Sequence, residues 1–234
     1  MPTFVTRRTA LGVVAAAALA SLTACASDIR PLEDPSVVDP MRPYKGELKF
    51  NSYESRGTYV PATSSKKAEN PPKPIPPAKM RAKTTEGMYA AIGFWVASFN
   101  YLILSGDIEP FMAVDINRND IYKAEAFSKL YKSNTGWMYG ADAPVSANLT
   151  EDAPEQVNEH QYRWRATSRY HKKTTIHYTD GRELPMTSLD GNTGDYDFFF
   201  ALKYQDGAWT VWNERVKLAP ISPTSSASSS GASV

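Results

Sequence analysis

Cysteine is almost absent from this chain of 234 residues: Cys25 is the only one, so no disulfide framework can staple the fold within one molecule. Histidine is nearly as scarce, with only His160, His171 and His177, and no cluster of His, Cys, Asp or Glu has the spacing of a zinc site. No metal site and no cofactor is expected. An excess of charge is missing as well, since 26 Lys and Arg face 25 Asp and Glu, which excludes the strongly basic footprint of a nucleic-acid binder. Also missing are a serine nucleophile elbow, a phosphate-cradling glycine loop and a dinucleotide fingerprint. No catalytic set is recognised on these grounds, and the chain is expected not to be an enzyme.

Long apolar runs are lacking too, with one exception at the start. Arg7 and Arg8 precede an apolar stretch from Leu11 to Ala24, in the order of a secretory signal. A membrane-spanning helix needs about 20 apolar residues, and this run is shorter, with Ser21 and Thr23 already inside its end. Leu22, Thr23, Ala24 and Cys25 close it as a lipobox, the pattern at which a bacterial lipoprotein is lipidated on cysteine and then cut. The alternative is an ordinary signal cut at an Ala-x-Ala-like site, which would release a secreted protein. Thr6 to Leu11 resemble a twin-arginine signal, but paired arginines are common in such starts and general secretion is the expectation.

A diacylglyceryl group on Cys25 supplies two acyl chains, enough for stable anchoring where one chain is marginal. It also consumes the only thiol, which removes thiolate and redox chemistry. The expected location is the outer face of the cytoplasmic membrane, with membrane lipid as the partner of acylated Cys25. Loss of Arg7 and Arg8 with the signal leaves 24 basic against 25 acidic residues.

Residues 25–79 are expected as a lipidated, disordered tether. Pro71, Pro72, Pro74, Pro76 and Pro77 favour polyproline II at about 3.1 Å per residue, a stiff spacer. Phe50, Tyr53 and Tyr59 leave open whether part of the tether docks. Residues 219–234 are serine-rich and too poor in apolar side chains to order, so a disordered tail is expected there.

The folded domain is expected over residues 80–218. Thr84 or Thr85 can cap an amphipathic helix carrying Met88, Ile92, Trp95, Phe99 and Leu102 at intervals of three and four, stopped by Ser105, Gly106 and Asp107. Asp107 can cap a short turn through Met112, and Asn119 or Asp120 can start a further helix with Ile121, Ala124, Phe127, Leu130 and Tyr131 inward. After Gly136 the period changes to two. Tyr162, Trp164, Ala166, Ser168 and Tyr170 alternate with Arg163, Arg165, Thr167 and Arg169, a half-buried strand. Thr174 to Tyr178 continue extended structure to a turn at Asp180 and Gly181. Tyr196–Tyr204 and Trp209–Val216 flank Asp206 and Gly207 as a hairpin. Helices followed by antiparallel strands predict an α+β fold, of the NTF2-like or cystatin-like cone type, with the long helix across one sheet face.

Three groups of residues invite a functional reading. Arg163, Arg165 and Arg169, continued by Lys172 and Lys173, form a candidate stripe for an anionic partner, against the commoner reading of charges that solvate an exposed strand. Asp115, Asp195 and Asp197 are the carboxylates that, with a tyrosine, could stabilise an enolate in a pocket. The aromatics Trp95, Phe99, Trp164, Phe198, Phe200 and Trp209 fill a core or line a pocket.

The proline linker running into Met80, the opening Thr85-Glu86-Gly87, the aromatic helix through Trp95 and Asn100, the stop Ser105-Gly106-Asp107 and the late Trp209 and Trp212 form a set. Together they resemble the uncharacterised actinobacterial lipoproteins grouped as domain of unknown function 6318, over roughly Gly57 to Val216. The resemblance implies a lipobox-bearing, membrane-anchored protein with an NTF2-like domain and no assigned activity. That family often carries a cysteine pair just after the second helix. Asp115 to Tyr122 hold none here, so a staple at that place cannot form. The function expected is therefore an anchored domain that binds an envelope protein, a polymer or a small ligand, with a pocket isomerase or hydrolase as the alternative.

Overall fold

In the computed structural model the described residues are 44–54, 56–115, 117–189 and 195–215. The lipobox Leu22, Thr23, Ala24 and Cys25 and the tail 219–234 lie outside them.

The chain is mixed α+β with antiparallel sheets. The long helix α1, Thr85–Ser105, starts where Thr84 turns its hydroxyl back to accept from the Gly87 amide. It ends where Gly106, at φ +77°, donates its amide to the Leu102 carbonyl. The short α2, Glu109–Met112, follows with Asp107 accepting from the Glu109 amide, and α3 spans Arg118–Lys132. The helix α1 falls where its cap and its glycine stop put it, while α3 begins at Arg118, ahead of the Asn119 and Asp120 expected to open it.

The main sheet contains β1 (Gly46–Glu47), β5 (Val145–Leu149), β6 (Glu155–Asn158), β7 (Gln161–Tyr170), β10 (Tyr196–Gln205) and β11 (Ala208–Arg215). Its order is β1-β5-β7-β10-β11, and β6 joins β5 along the same edge of β7. A two-stranded piece pairs β2 (Tyr53–Glu54) with β3 (Lys73–Pro74). A third sheet orders β4 (Gly136–Tyr139), β8 (Thr175–Tyr178) and β9 (Glu183–Pro185). The alternation in β7 is realised: Tyr162, Trp164, Ala166 and Ser168 are buried while the arginines face out. The hairpin of β10 and β11 keeps register from Phe198↔Arg215 to Gln205↔Ala208.

Two expectations are corrected. Residues 44–79, read as tether, are folded from Tyr44 onward. Tyr44 is 4% exposed, β1 pairs with β5, Val60 bridges Glu69, and the Trp137 indole donates to the Thr63 carbonyl at 2.7 Å. The proline stretch contributes β3 and a 3-10 turn at Ala78–Arg81 instead of a free spacer. These pieces are two to four residues long, so they have no periodicity of their own, and docking on the helices and sheet stabilises them.

The second correction concerns α1, which is not amphipathic. Apart from Glu86, Tyr89, Asn100 and Ser105 its residues are all buried, because the 44–53 segment covers the side that would have met water. By length and composition α1 could cross a membrane, so the run at the start is not the only long apolar one, yet 83% of its apolar window is buried inside the fold, where it is the core helix. Its sheet-facing aromatics meet one another: Trp95 lies 5.3 Å from Phe111 and 5.6 Å from Phe200 between ring centres.

Candidate functional site

The folded N-terminal segment creates a cleft of about 1020 Å³ between residues 44–53, the outer face of α1 and β5. Its floor is Ala90, Gly93, Val96 and Ala97 of α1 with Val145 and Ala147 of β5. These side chains offer no hydrogen-bonding group. Gly93 sits mid-helix at a cost of about 1 kcal/mol relative to alanine. A Cβ there would stand 3.3 Å from the Phe50 ring, so the glycine lets the covering segment approach the helix closely.

Polar contacts fix the walls. Asn100 donates to the Val145 carbonyl at 2.9 Å and accepts from the Val145 amide at 2.7 Å, locking α1 to β5 as a peptide group would. At the other wall the Tyr89 hydroxyl accepts from the Lys49 amide at 3.2 Å. Tyr44 anchors the segment below, its ring 5.3 Å from Tyr89 and 5.6 Å from Trp164. Around the rim stand Lys45, Lys49 and Lys79 with a single acid, Glu47. Lys79 is paired with Glu86 at 2.9 Å, whereas neither Lys45 nor Lys49 has a carboxylate within ion-pair distance among the described residues.

Asp115 is a strongly perturbed carboxylate, and it lies elsewhere. It is 1% exposed and accepts from the Trp95 indole at 2.6 Å and from the Asn117 amide at 2.7 Å. Burial raises its pKa from 3.8 to about 7, against the pull of those two donors and with help from nearby Asp120. Among the described residues no tyrosine hydrogen-bonds to it, and it does not line the cleft.

A family model for a family of unknown function, DUF6318, matches residues 57–215, more than half of the chain. The chain belongs to DUF6318. No curated protein matches it in sequence. The DUF6318 match takes in α1 and β5 and begins after the segment 44–54, so one wall of the cleft lies outside the matched region.

Within this DUF6318 domain the other sequence candidates are dispersed. Arg163, Arg165 and Arg169 do share the exposed face of β7, but each meets a carboxylate. Arg163 donates through Nε and Nη2 to both Glu155 oxygens at 2.7 and 2.8 Å. Arg169 makes the same forked contact with Asp195, and Arg165 lies 3.4 Å from Asp197. These guanidinium groups in turn hold Glu155 and Asp195 below the usual carboxylate range. Asp195 and Asp197 are thereby accounted for as surface partners.

His177 lies against Trp137, with ring centres 4.4 Å apart and the planes tilted by 43°, and 3.4 Å from Glu183. Among the described residues no three His, Cys, Asp or Glu side chains come together as a metal cluster. Sequence reasoning missed the cleft. The signal that could have found it is the Ala90, Gly93, Ala97 row on α1, three and four apart, too small to be a solvent face.

Proposed function

We propose that this DUF6318 chain is an exported lipoprotein, anchored through acylated Cys25 at the outer face of the cytoplasmic membrane, whose domain binds a ligand or partner and is not an enzyme. The lipobox Leu22-Thr23-Ala24-Cys25 behind Arg7 and Arg8 supports the address. The cleft along α1 supports binding, and it carries the reading: about 1020 Å³ of space lies between the 44–53 segment, α1 and β5. An NTF2-like cone is the finer fold we assign, supported by one long helix packed across an antiparallel sheet. The partner is an envelope protein, an envelope polymer or a small ligand, and not a nucleic acid.

The test has two arms. Cys25→Ala should abolish metabolic acyl labelling and processing, and labelling that persists refutes the anchor. Capture from native envelope with the anchored chain, against an Ala97→Leu variant that fills the cleft floor, should lose its ligand in the variant. Equal recovery with both removes the cleft from the function. The alternative, a pocket isomerase or hydrolase, draws on one observation, the buried Asp115 with its pKa near 7. It requires substrate access to Asp115, so turnover abolished by Asp115→Asn would favour it.

A further inference from the structure

The open face of the main sheet, opposite α1, carries one tryptophan that the interior does not use. Of the five tryptophans, four donate their indole N–H inside the fold: Trp95 to Asp115, Trp137 to Thr63, Trp164 to Glu151 and Trp209 to Ala82. Trp212 differs. Trp209 and Val211 are buried, so alternation along β11 turns Trp212 outward, half-buried, and its indole nitrogen has no acceptor among the described residues. Arg163, Ala201 and Trp212 stand in one row across β7, β10 and β11, which puts the first and last about 10 Å apart at two strand spacings. Arg163 sits over the Phe199 ring, 4.8 Å from its centre, and its forked contact with Glu155 holds it there.

The charges on this face balance. Each arginine of β7 meets a carboxylate, and Lys203 of β10 is matched in sign by Glu214 of β11. An anionic polymer therefore finds no excess of positive field. A protein surface would have to strip water from three ion pairs to cover a small aromatic area, which costs more than it returns. A neutral sugar avoids both penalties. Its ring C–H groups can cover the indole face while the hydroxyls at its edge stay with water and with the fixed polar side chains, and one hydroxyl oxygen supplies the acceptor that Trp212 lacks.

We propose that this sheet face binds a neutral β-linked pyranose chain, with one ring stacked on Trp212, its hydroxyl oxygen accepting from the indole N–H, and the next ring toward the Arg163–Glu155 fork. Equatorial hydroxyls leave both faces of such a ring to C–H groups, which is what a flat indole accepts. The site lies across the sheet from α1, and neither Trp212 nor Arg163 lines the cleft. It rests on neither the cleft nor the anchor.

Indole N–H resonances of the full nitrogen-15-labelled chain in a zwitterionic detergent test this, titrated with cellotetraose and, separately, with chitotetraose. The indole signal that is missing from Trp212→Phe should shift saturably with at least one of the two, while the four internally bonded indoles stay in place. A response to cellotetraose alone assigns chains with free hydroxyls, one to chitotetraose alone assigns N-acetylated chains, and either supports the site. Trp212→Ala should weaken binding about tenfold or more, as stacked aromatic anchors do, and Trp212→Phe, which keeps a ring but loses the donor, should weaken it less. If Trp212→Ala melts early, the Trp212 resonance and the Trp212→Phe variant carry the test. No shift with either saccharide, or equal affinity in Trp212→Ala, overturns the proposal. A Trp212 signal that moves with protein concentration and not with saccharide would put a second copy of the chain on this face and overturn the saccharide. Ala97→Leu should leave the titration unchanged, so failure here and failure of the cleft reading are distinguishable.

Discussion

The Trp95 indole nitrogen and the Asp115 carboxylate oxygen are joined at 2.6 Å in the interior, tying the middle of α1 to the segment that follows α2. Asp115 is held at its other oxygen by the Asn117 amide, and the neighbouring Val114 carbonyl accepts from Val211 of β11. The carboxyl thus sits where helix, connection and edge strand meet.

This burial predicts a pH dependence of stability. The unfolded carboxyl loses its proton near 3.8, whereas the folded one keeps it until about 7, so between these values the folded state binds the extra proton. Stability contributed through Asp115 therefore falls as pH rises through that window and levels off above it, by an amount of the order of 4 kcal/mol at most. Asp115→Asn should remove this slope. Denaturant melts at a series of pH values check it, and an unchanged slope in the variant rejects the assignment.

Tyr44 predicts the worth of the docked segment. Its ring is almost fully buried between Tyr89 and Trp164. Tyr44→Ala should cost about 3 kcal/mol, as for other large core truncations, with a clear drop in melting temperature. A segment acting as a free tether would show no change.

Gly106 predicts a steeper loss. At φ +77° an alanine is strained, and its Cβ would stand 2.3 Å from the Cβ of Tyr131. Gly106→Ala should destabilise by at least about 2 kcal/mol. Tyr131→Phe should cost less, since it removes only the hydroxyl that donates to the Ile103 carbonyl and accepts from the Met138 amide. Thermal unfolding of the two variants gives the order directly.

The arginine face predicts little. With Arg163, Arg165 and Arg169 exposed and paired, replacing all three by glutamine should leave the melting temperature within error. Retention on anionic envelope polymers at low salt should also stay as it is. A marked loss of retention would restore the stripe as a binding surface.

Much of this fold is legible in local signals. The Thr84 cap and the Gly106 stop bound α1 because orphan backbone groups at helix ends demand such residues. The aromatic and cationic alternation of β7 marks a strand with one wet face, and Asp206-Gly207 marks the last hairpin. The strands β1, β2 and β3 are not legible, since a pair of residues has no period. Nor is the cleft, whose two walls are some forty residues apart in the chain and meet at Lys49 and Tyr89.

Partners across the sheet explain the rest. Strand parity put Arg163, Arg165 and Arg169 on one face, but the register of β6 and the position of the stretch before β10 decided that Glu155, Asp195 and Asp197 would meet them. Asp115 was a candidate by residue type, and tertiary packing gave it an indole and an amide in place of a phenol.

By itself the sequence determined the bounds of α1 and the alternating strands of the second half. These follow from near-neighbour chemistry: caps, turns and apolar period. Only the tertiary structure decided that residues 44–79 belong to the domain, that α1 is covered on its outer side, and that a cleft lies between the two. Those depend on surfaces distant in the chain excluding water together, and no local run of residues encodes which surface it will meet.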